Sequence, residues 1–218
     1  MAPVAARRRR SDVNADASER VVGHKRLFFK RFLQRGKGVA SLVPSSASLA
    51  RAVCGPLTDQ RPMTVLELGA GTGAITREAL RRLHPQSRLI AVEIDPEFAR
   101  VLRESCPRAE VVEADAAELA GVLASMGVTR VDAVLNGLPM PSLPKPLVGR
   151  VLSAVAAVTD ERTPVSQITV MPLVYLPLYR RWFREVRFEW VVANFPPAGV
   201  YHLRGVRPEA VAELTGRG

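Results

Sequence analysis

Apolar positions along this chain follow two alternating rhythms. Short apolar runs near residues 64–68, 88–93, 110–112, 131–136, 167–171, 183–192 and 199–203 read as strands. Between them, apolar residues recur at helical spacing near 74–83, 96–105, 117–125 and 147–158. Strand-helix alternation of this kind implies a mostly parallel sheet covered by helices on both faces, and the last two strands, joined through 193–198, form an antiparallel hairpin. Ligands of such sheets bind at the carboxyl ends of the strands, so those ends are where chemistry is expected.

The first strand runs directly into Glu67-Leu68-Gly69-Ala70-Gly71-Thr72-Gly73, and a helix follows. Glycines let the backbone take positive φ and approach a ligand closely, and the helix beyond offers unpaired N–H groups. The spacing G-x-G-x-G differs from the G-x-G-x-x-G of dinucleotide sites, and no Lys-Ser/Thr follows as a P-loop requires. With an acid (Glu67) ahead of the glycines, the pattern points to S-adenosylmethionine. The second strand ends in Glu93-Ile94, where a carboxylate can accept both ribose hydroxyls. The third leads to Asp115-Ala116, placed to accept from the adenine amino group or to cap the next helix. These three ordered motifs resemble those of class I methyltransferases. The resemblance implies an α/β fold, the Rossmann-like, seven-stranded, mostly parallel sheet with an antiparallel C-terminal hairpin, and S-adenosylhomocysteine as product. Ser45 or Ser46 caps a helix running to about Cys54, and the loop before it, with Ser45, lies over the cofactor entrance.

Composition matters chiefly through the placement of charge. The chain has 218 residues and a net charge of +10. Residues 1–37 carry eleven Lys or Arg against three acids, so +8 of that charge sits in one end. Residues 1–18 are Arg- and Ala-rich without periodicity and read as a disordered basic tail. In 19–37, Val21, Val22, Phe28, Phe29, Phe32 and Leu33 share one side of a helix, flanked by Lys25, Arg26, Lys30, Arg31 and Arg35. This N-terminal amphipathic helix suits an anionic membrane surface, or a lid packed on the catalytic domain at 38–206. Residues 207–218 form a short C-terminal tail. The two cysteines, Cys54 and Cys106, have no metal or disulfide spacing and are expected in the core, in a reducing cytoplasm. No metal site is expected. The longest apolar run, 168–179, is broken by Pro172 and Pro177 and is too short to cross a membrane.

The fourth strand ends in Asn136-Gly137-Leu138-Pro139-Met140. Adenine and amide N-methyltransferases carry here an Asn/Asp-Pro-Pro-aromatic or Asn-Leu-Pro-aromatic motif. This chain has one extra residue and Met140 in place of the aromatic, so a flipped base would lose its stacking platform. Several segments in order instead resemble the bacterial phospholipid N-methyltransferases of the Pmt type. They are the basic helix with Phe28-Phe29, the 39–46 stretch with Val43-Pro44-Ser45-Ser46, the glycine motif, Asn136-Gly137-Leu138-Pro139, Tyr175, and Asn194-Phe195-Pro196-Pro197. The family usually shows Ser where Asn136 stands. The resemblance implies methylation of the amine of phosphatidylethanolamine and its mono- and dimethyl derivatives toward phosphatidylcholine, by a protein peripheral to the inner face of the cell membrane. Under this reading the Asn136 amide oxygen and the carbonyl of Gly137 or Leu138 orient the amine, while Tyr175, Phe195 or Tyr201 faces the methylated cation. His202, a lone histidine on a late strand, is expected to be a packing residue. A rival reading is an rRNA adenine N6-methyltransferase of the dimethyladenosine type using the basic arm for RNA. The missing aromatic, and the few residues after Pro139 beyond those the sheet consumes, disfavour it, so nucleic acid is not the expected partner. A surface-binding module without activity is the third reading, and the intact Glu67, Gly69, Gly71, Gly73 and Glu93 set argues against it.

Overall fold

In the computed structural model, which describes residues 47–191 and 198–216, strands and helices alternate as the apolar rhythm requires. Helix α1 (Ala47–Val53) leads into β1 (Thr64–Leu68), α2 (Ala74–Arg82), β2 (Arg88–Glu93), α3 (Pro96–Ser105) and β3 (Ala109–Glu113). A 3₁₀ turn precedes α4 (Leu119–Ser125), followed by β4 (Ala133–Asn136), a second 3₁₀ turn, α5 (Lys145–Val158) and β5 (Val165–Thr169). Helix α6 (Pro172–Trp182), β6 (Phe183–Val191), β7 (Ala198–Val206) and α7 (Pro208–Thr215) complete the chain.

The seven strands lie in the order β3-β2-β1-β4-β5-β7-β6. β1 to β5 pair in parallel, and β7 runs antiparallel between β5 and β6. Central strands such as β1 are apolar on both faces because helices cover both. On one face α1 and α2 pack Leu49, Val53, Ile75 and Ala79 against Val65, Leu89, Leu135 and Val200. Next to them α3 places Leu102 against Ala91 and Ala70. α4 and α5 cover the other face, where Gly149 of α5 lets α7 come close enough that a Cβ there would meet Leu214 at 2.9 Å. α3 starts where its sequence says it should. Asp95 accepts the N–H groups of Glu97 and Phe98 at 2.9 and 3.3 Å, and Pro96 occupies the first helical position.

The polypeptide departs from the sequence expectation after β5. That strand ends at Thr169 rather than 171, and the apolar run beyond it is a helix. Pro172 stands in the first turn of α6, where no N–H is required. Pro177 lies inside the helix and cannot donate to the carbonyl of Leu173, a residue 73% exposed, so solvent can satisfy that carbonyl. The expected amphipathic helix at 19–37, the basic tail, Ser45, and the 194–197 segment with Phe195 lie outside the described residues.

Candidate active site

All three glycines of the first turn need the backbone freedom that drew attention to them. Gly69, Gly71 and Gly73 have φ of 69°, 54° and 78°. Gly69 and Ala70 donate to Val92 O at 2.9 and 3.4 Å, and Gly73 to Ala70 O at 3.0 Å, so the turn is stitched to the end of β2. Above Gly71 there is open space, with nothing within 4 Å of an added Cβ. Thr72, at the exposed tip, accepts from Arg77 through its carbonyl at 3.0 Å.

Glu93 closes this turn from the neighbouring strand. Its two carboxylate oxygens accept the N–H groups of Gly71 at 2.7 Å and Asp95 at 2.9 Å. Burial pushes its pKa up, against those backbone hydrogen bonds. Ile94 follows it half-buried, and Asp115 accepts from Ala117 N at 2.8 Å, capping the turn that starts at Ala116. The expected cofactor residues from Glu67 to Ala116 thus converge on the carboxyl ends of β1, β2 and β3.

Glu67 has a different environment. It is fully buried beneath the turn, and neither of its oxygens, nor the nearby Thr76 hydroxyl, has a hydrogen-bond partner among the described residues. Burial pushes its pKa up to about 7. An orphaned buried carboxylate under an open glycine turn suits a cationic ligand above it.

The Asn136–Pro139 loop is interlocked with the glycine turn. Gly137 donates to Leu68 O at 2.8 Å, and an added Cβ on Gly137 would lie 2.8 Å from Gly69 O. Reciprocally, a Cβ on Gly69 would lie 2.9 Å from the Leu138 side chain. Within the loop, Leu138 N donates to Asn136 Oδ1 at 3.0 Å. A residue that sequence reasoning missed then fixes it. Gln167 of β5, paired in register with Asn136, accepts the Asn136 amide at 2.8 Å and donates to the carbonyls of Leu138 and Ile168, each at 3.0 Å. Met140 N also donates to Leu138 O, at 2.8 Å, so both lone pairs of that carbonyl are taken. The Gly137 carbonyl has no hydrogen-bond partner among the described residues. A long amide in the middle of a strand otherwise built of small or β-branched residues was the available signal for Gln167.

Other candidates are dispersed. Tyr175 is half-buried in the first turn of α6 and makes no side-chain hydrogen bond to the 136–139 loop among the described residues. Tyr201 pairs in register with Gln167, on the same sheet face, but is enclosed. It is fully buried against Tyr179 and Phe188, and its hydroxyl donates to the Pro172 carbonyl. His202 pairs with Glu189 at 2.8 Å, and its register partner Ser166 lies toward the amino-terminal part of β5, away from the glycines. Cys54 and Cys106 are buried, and no cluster of three or more potential metal ligands exists among the described residues. No described helix is long and apolar enough to cross a membrane.

Residues 65–161 match the family described as a methyltransferase domain. The chain is 44% identical over 184 residues to the ornithine lipid N-methyltransferase of Singulisphaera acidiphila, a match covering 83% of this chain and 96% of that protein. A shorter likeness, 41% over 64 residues, joins it to the ribosomal RNA small subunit methyltransferase A of Salinibacter ruber, covering 29% of this chain and 21% of that one. Among solved structures, human methyltransferase-like protein 13 in complex with SAH shares the fold, with a TM-score of 0.53 and 19% identity over 78% of this chain and 88% of that one. The resemblance to methyltransferases is thereby sustained, while the near full-length relative carries an ornithine lipid in its name rather than a phospholipid. The chain belongs to the class I methyltransferases, which use S-adenosylmethionine and release S-adenosylhomocysteine, and within them to the family of the Singulisphaera enzyme.

Proposed function

We propose that this protein N-methylates the terminal amine of a membrane amino-lipid, with an ornithine lipid as first acceptor and phosphatidylethanolamine as second. The near full-length likeness to an ornithine lipid N-methyltransferase carries this reading. The two head groups share a primary amine and differ in bearing a carboxylate or a phosphate beside it. On phosphatidylethanolamine the transfer repeats up to three times, toward phosphatidylcholine.

The bound cofactor supplies an electrophilic methyl on a sulfonium. Gly69, Gly71, Gly73, Glu93 and Asp115 would hold it, with Glu67 beneath. The loop at 136–139 prepares the nucleophile. An amine with pKa near 10 is about one part in a thousand neutral at pH 7, a cost of roughly 4 kcal/mol. Positioning beside a fixed positive charge offsets it. With Leu138 O saturated, the remaining acceptors are the Gly137 carbonyl and the second lone pair of Asn136 Oδ1. These would orient the N–H bonds, leaving the nitrogen lone pair free for the methyl that the cofactor supplies when bound. The proton leaves to water, and Tyr175 offers a ring to the methylated cation. The basic, phenylalanine-bearing segment at 19–37 delivers the protein to the inner face of the membrane.

The rRNA reading has the short Salinibacter likeness in its favour. Against it, Met140, where a base-stacking ring would stand, is only 1% exposed.

The test is purified protein with radiolabelled S-adenosylmethionine, offered vesicles containing ornithine lipid, vesicles containing phosphatidylethanolamine, or undermethylated rRNA. Label entering the chloroform phase, most from ornithine lipid, is the expected result. Label on RNA alone, or on neither lipid, defeats the proposal.

A further inference from the structure

Six large apolar side chains stand well exposed among the described residues, and four fall in one stretch. Val170, Met171, Leu173 and Val174 are 56, 46, 73 and 60% exposed, at the turn from β5 into α6. The other two, Val101 and Trp190, lie elsewhere on the chain. A contiguous apolar patch on a soluble surface marks an interaction site. The backbone that displays it is pinned: Met171 N donates to Thr169 Oγ1 at 3.3 Å, Tyr175 N to Met171 O at 3.2 Å, and the buried Tyr201 hydroxyl to the Pro172 carbonyl.

Two features identify the occupant. The first is place. β5 carries Gln167, which holds the Asn136 amide and the Leu138 carbonyl, so the patch begins three residues beyond the group that positions the acceptor loop. The second is charge. Residues 162–184 contain four arginines and no acid. Arg181 pairs with Glu213 and Arg184 with Glu161, Arg162 precedes the amino end of β5, and Arg180 is the cation left beside the patch. Arg180 is exposed, without an ion-pair partner among the described residues, and seven positions after Leu173 it shares that residue's helix face. At 1.5 Å per residue it stands roughly 10 Å along the axis, about the depth to which an interfacial helix sinks its apolar side while its cation meets lipid phosphate. A protein partner would be expected to place carboxylates or amides here for its own polar rim. An anionic bilayer needs only grease and arginine.

We infer that the β5-α6 turn is a second membrane contact, within the catalytic domain itself, where Val170, Met171, Leu173 and Val174 enter the lipid interface beside the acceptor loop. This rests on the lipid reading above for its purpose, though its test needs no turnover. The native cysteines are buried, so a full-length Leu173→Cys variant carries one accessible thiol among the described residues for an environment-sensitive fluorophore. Mixing with vesicles of equal parts phosphatidylcholine and phosphatidylglycerol is expected to shift its emission to the blue and raise it about twofold or more, as for a probe entering the acyl boundary. The same label on exposed Gln60→Cys, before the amino end of β1, is expected to stay unchanged. An unshifted signal at position 173 overturns the inference, whether or not the protein pellets with the vesicles. Emission already blue in buffer also overturns it, because a protein segment such as 19–37 would then cover the patch. In the companion experiment, Leu173→Asp with Val174→Asp is expected to lower transfer to vesicle-borne lipid at least tenfold while S-adenosylhomocysteine affinity and transfer to a monomeric short-chain lipid stay within about twofold. Equal loss on both substrates counts against a surface role. Failure of the wild type on every lipid would defeat the proposed function and leave the fluorescence result to decide this one.

Discussion

The Asn136 side chain donates to Gln167 Oε1 at 2.8 Å, joining the last residue of β4 to the middle residue of β5. Both residues are buried, and together they hold the Leu138 N–H and one lone pair of its carbonyl. Replacing Gln167 by Leu leaves the Asn136 amide nitrogen unpaired and strips one donor from Leu138 O. Each buried group so orphaned costs about 1–3 kcal/mol. Gln167→Leu is therefore expected to lower denaturation midpoints and to reduce kcat by roughly tenfold or more through a misplaced loop. S-adenosylhomocysteine affinity is expected to change less than about threefold, since Gln167 touches none of the glycine turn. Calorimetry alongside steady-state kinetics separates the two, and an equal fall in kcat and affinity would contradict a positioning role.

The Glu67 carboxyl predicts an unusual pH response. Unfolded, it titrates at about 4.5, and folded at about 7. Below 4.5 it is neutral in both states and costs nothing. As pH rises through the window between these values the unfolded state ionises first, so the fold loses stability, by at most about 3 kcal/mol above pH 7. The melting temperature of the cofactor-free protein is expected to fall from pH 5 to pH 8, and Glu67→Gln to flatten that slope. A slope unaltered by the substitution would place the titrating group elsewhere.

How far the sequence could be read varies with the kind of information each element carries. The strands β1, β2 and β4 were legible because a strand buried on both faces is a mostly apolar run, and the glycine turn because its spacing is local. Glu93 was legible for the same reason, lying at a fixed distance down a βαβ unit. Helix α6 was not, because Pro172 and Pro177 read as breaks until one sees the first at a helix start and the second on a solvated face. Gln167 was not, since its partners come from β4 and parallel register cannot be counted along the chain. Tyr201 had the right chemistry for a cation and stands on the same sheet face as its register partner Gln167, but Tyr179 and Phe188 enclose its ring and the Pro172 carbonyl takes its hydroxyl, contacts that cannot be counted along the chain.

Two glycines allow shape to be separated from strain. Gly137→Ala puts a methyl 2.8 Å from Gly69 O and 3.2 Å from Leu68 O, both backbone atoms that cannot swing aside. A cost of about 1–3 kcal/mol is expected as the two loops part, with loss of both stability and activity. Gly71→Ala meets nothing within 4 Å, so only its positive φ resists, at roughly 1–2 kcal/mol. Its methyl instead occupies the open space above the turn. Thermal melts should show Gly137→Ala to be at least as damaged as Gly71→Ala, whereas titration with S-adenosylhomocysteine should show Gly71→Ala to bind least well for its stability. If Gly71→Ala bound normally, the space above it would not be where the cofactor lies.

Glu93 offers the sharpest test of the cofactor geometry, because one carboxylate does two things. It holds Gly71 N at 2.7 Å and Asp95 N at 2.9 Å, and on the proposed reading it also accepts from the ribose hydroxyls. Glu93→Ala removes both the clamp and the ligand contacts, while Gln at the same place can keep one accepting oxygen for either backbone donor but not for both. Hydrogen bonds to a charged acceptor contribute about 1.5–3 kcal/mol each. Calorimetric affinity for S-adenosylhomocysteine is thus expected to fall at least about tenfold in Glu93→Gln and further in Glu93→Ala. Burial works in the opposite direction on the fold, since an ionised carboxylate taken from water costs energy that Ala does not. The cofactor-free Ala variant is therefore expected to lose little stability for a substitution at so buried a position. Affinity unchanged in Glu93→Ala would remove the ribose from the end of β2, and with it the placement of the methyl donor beside Gly137.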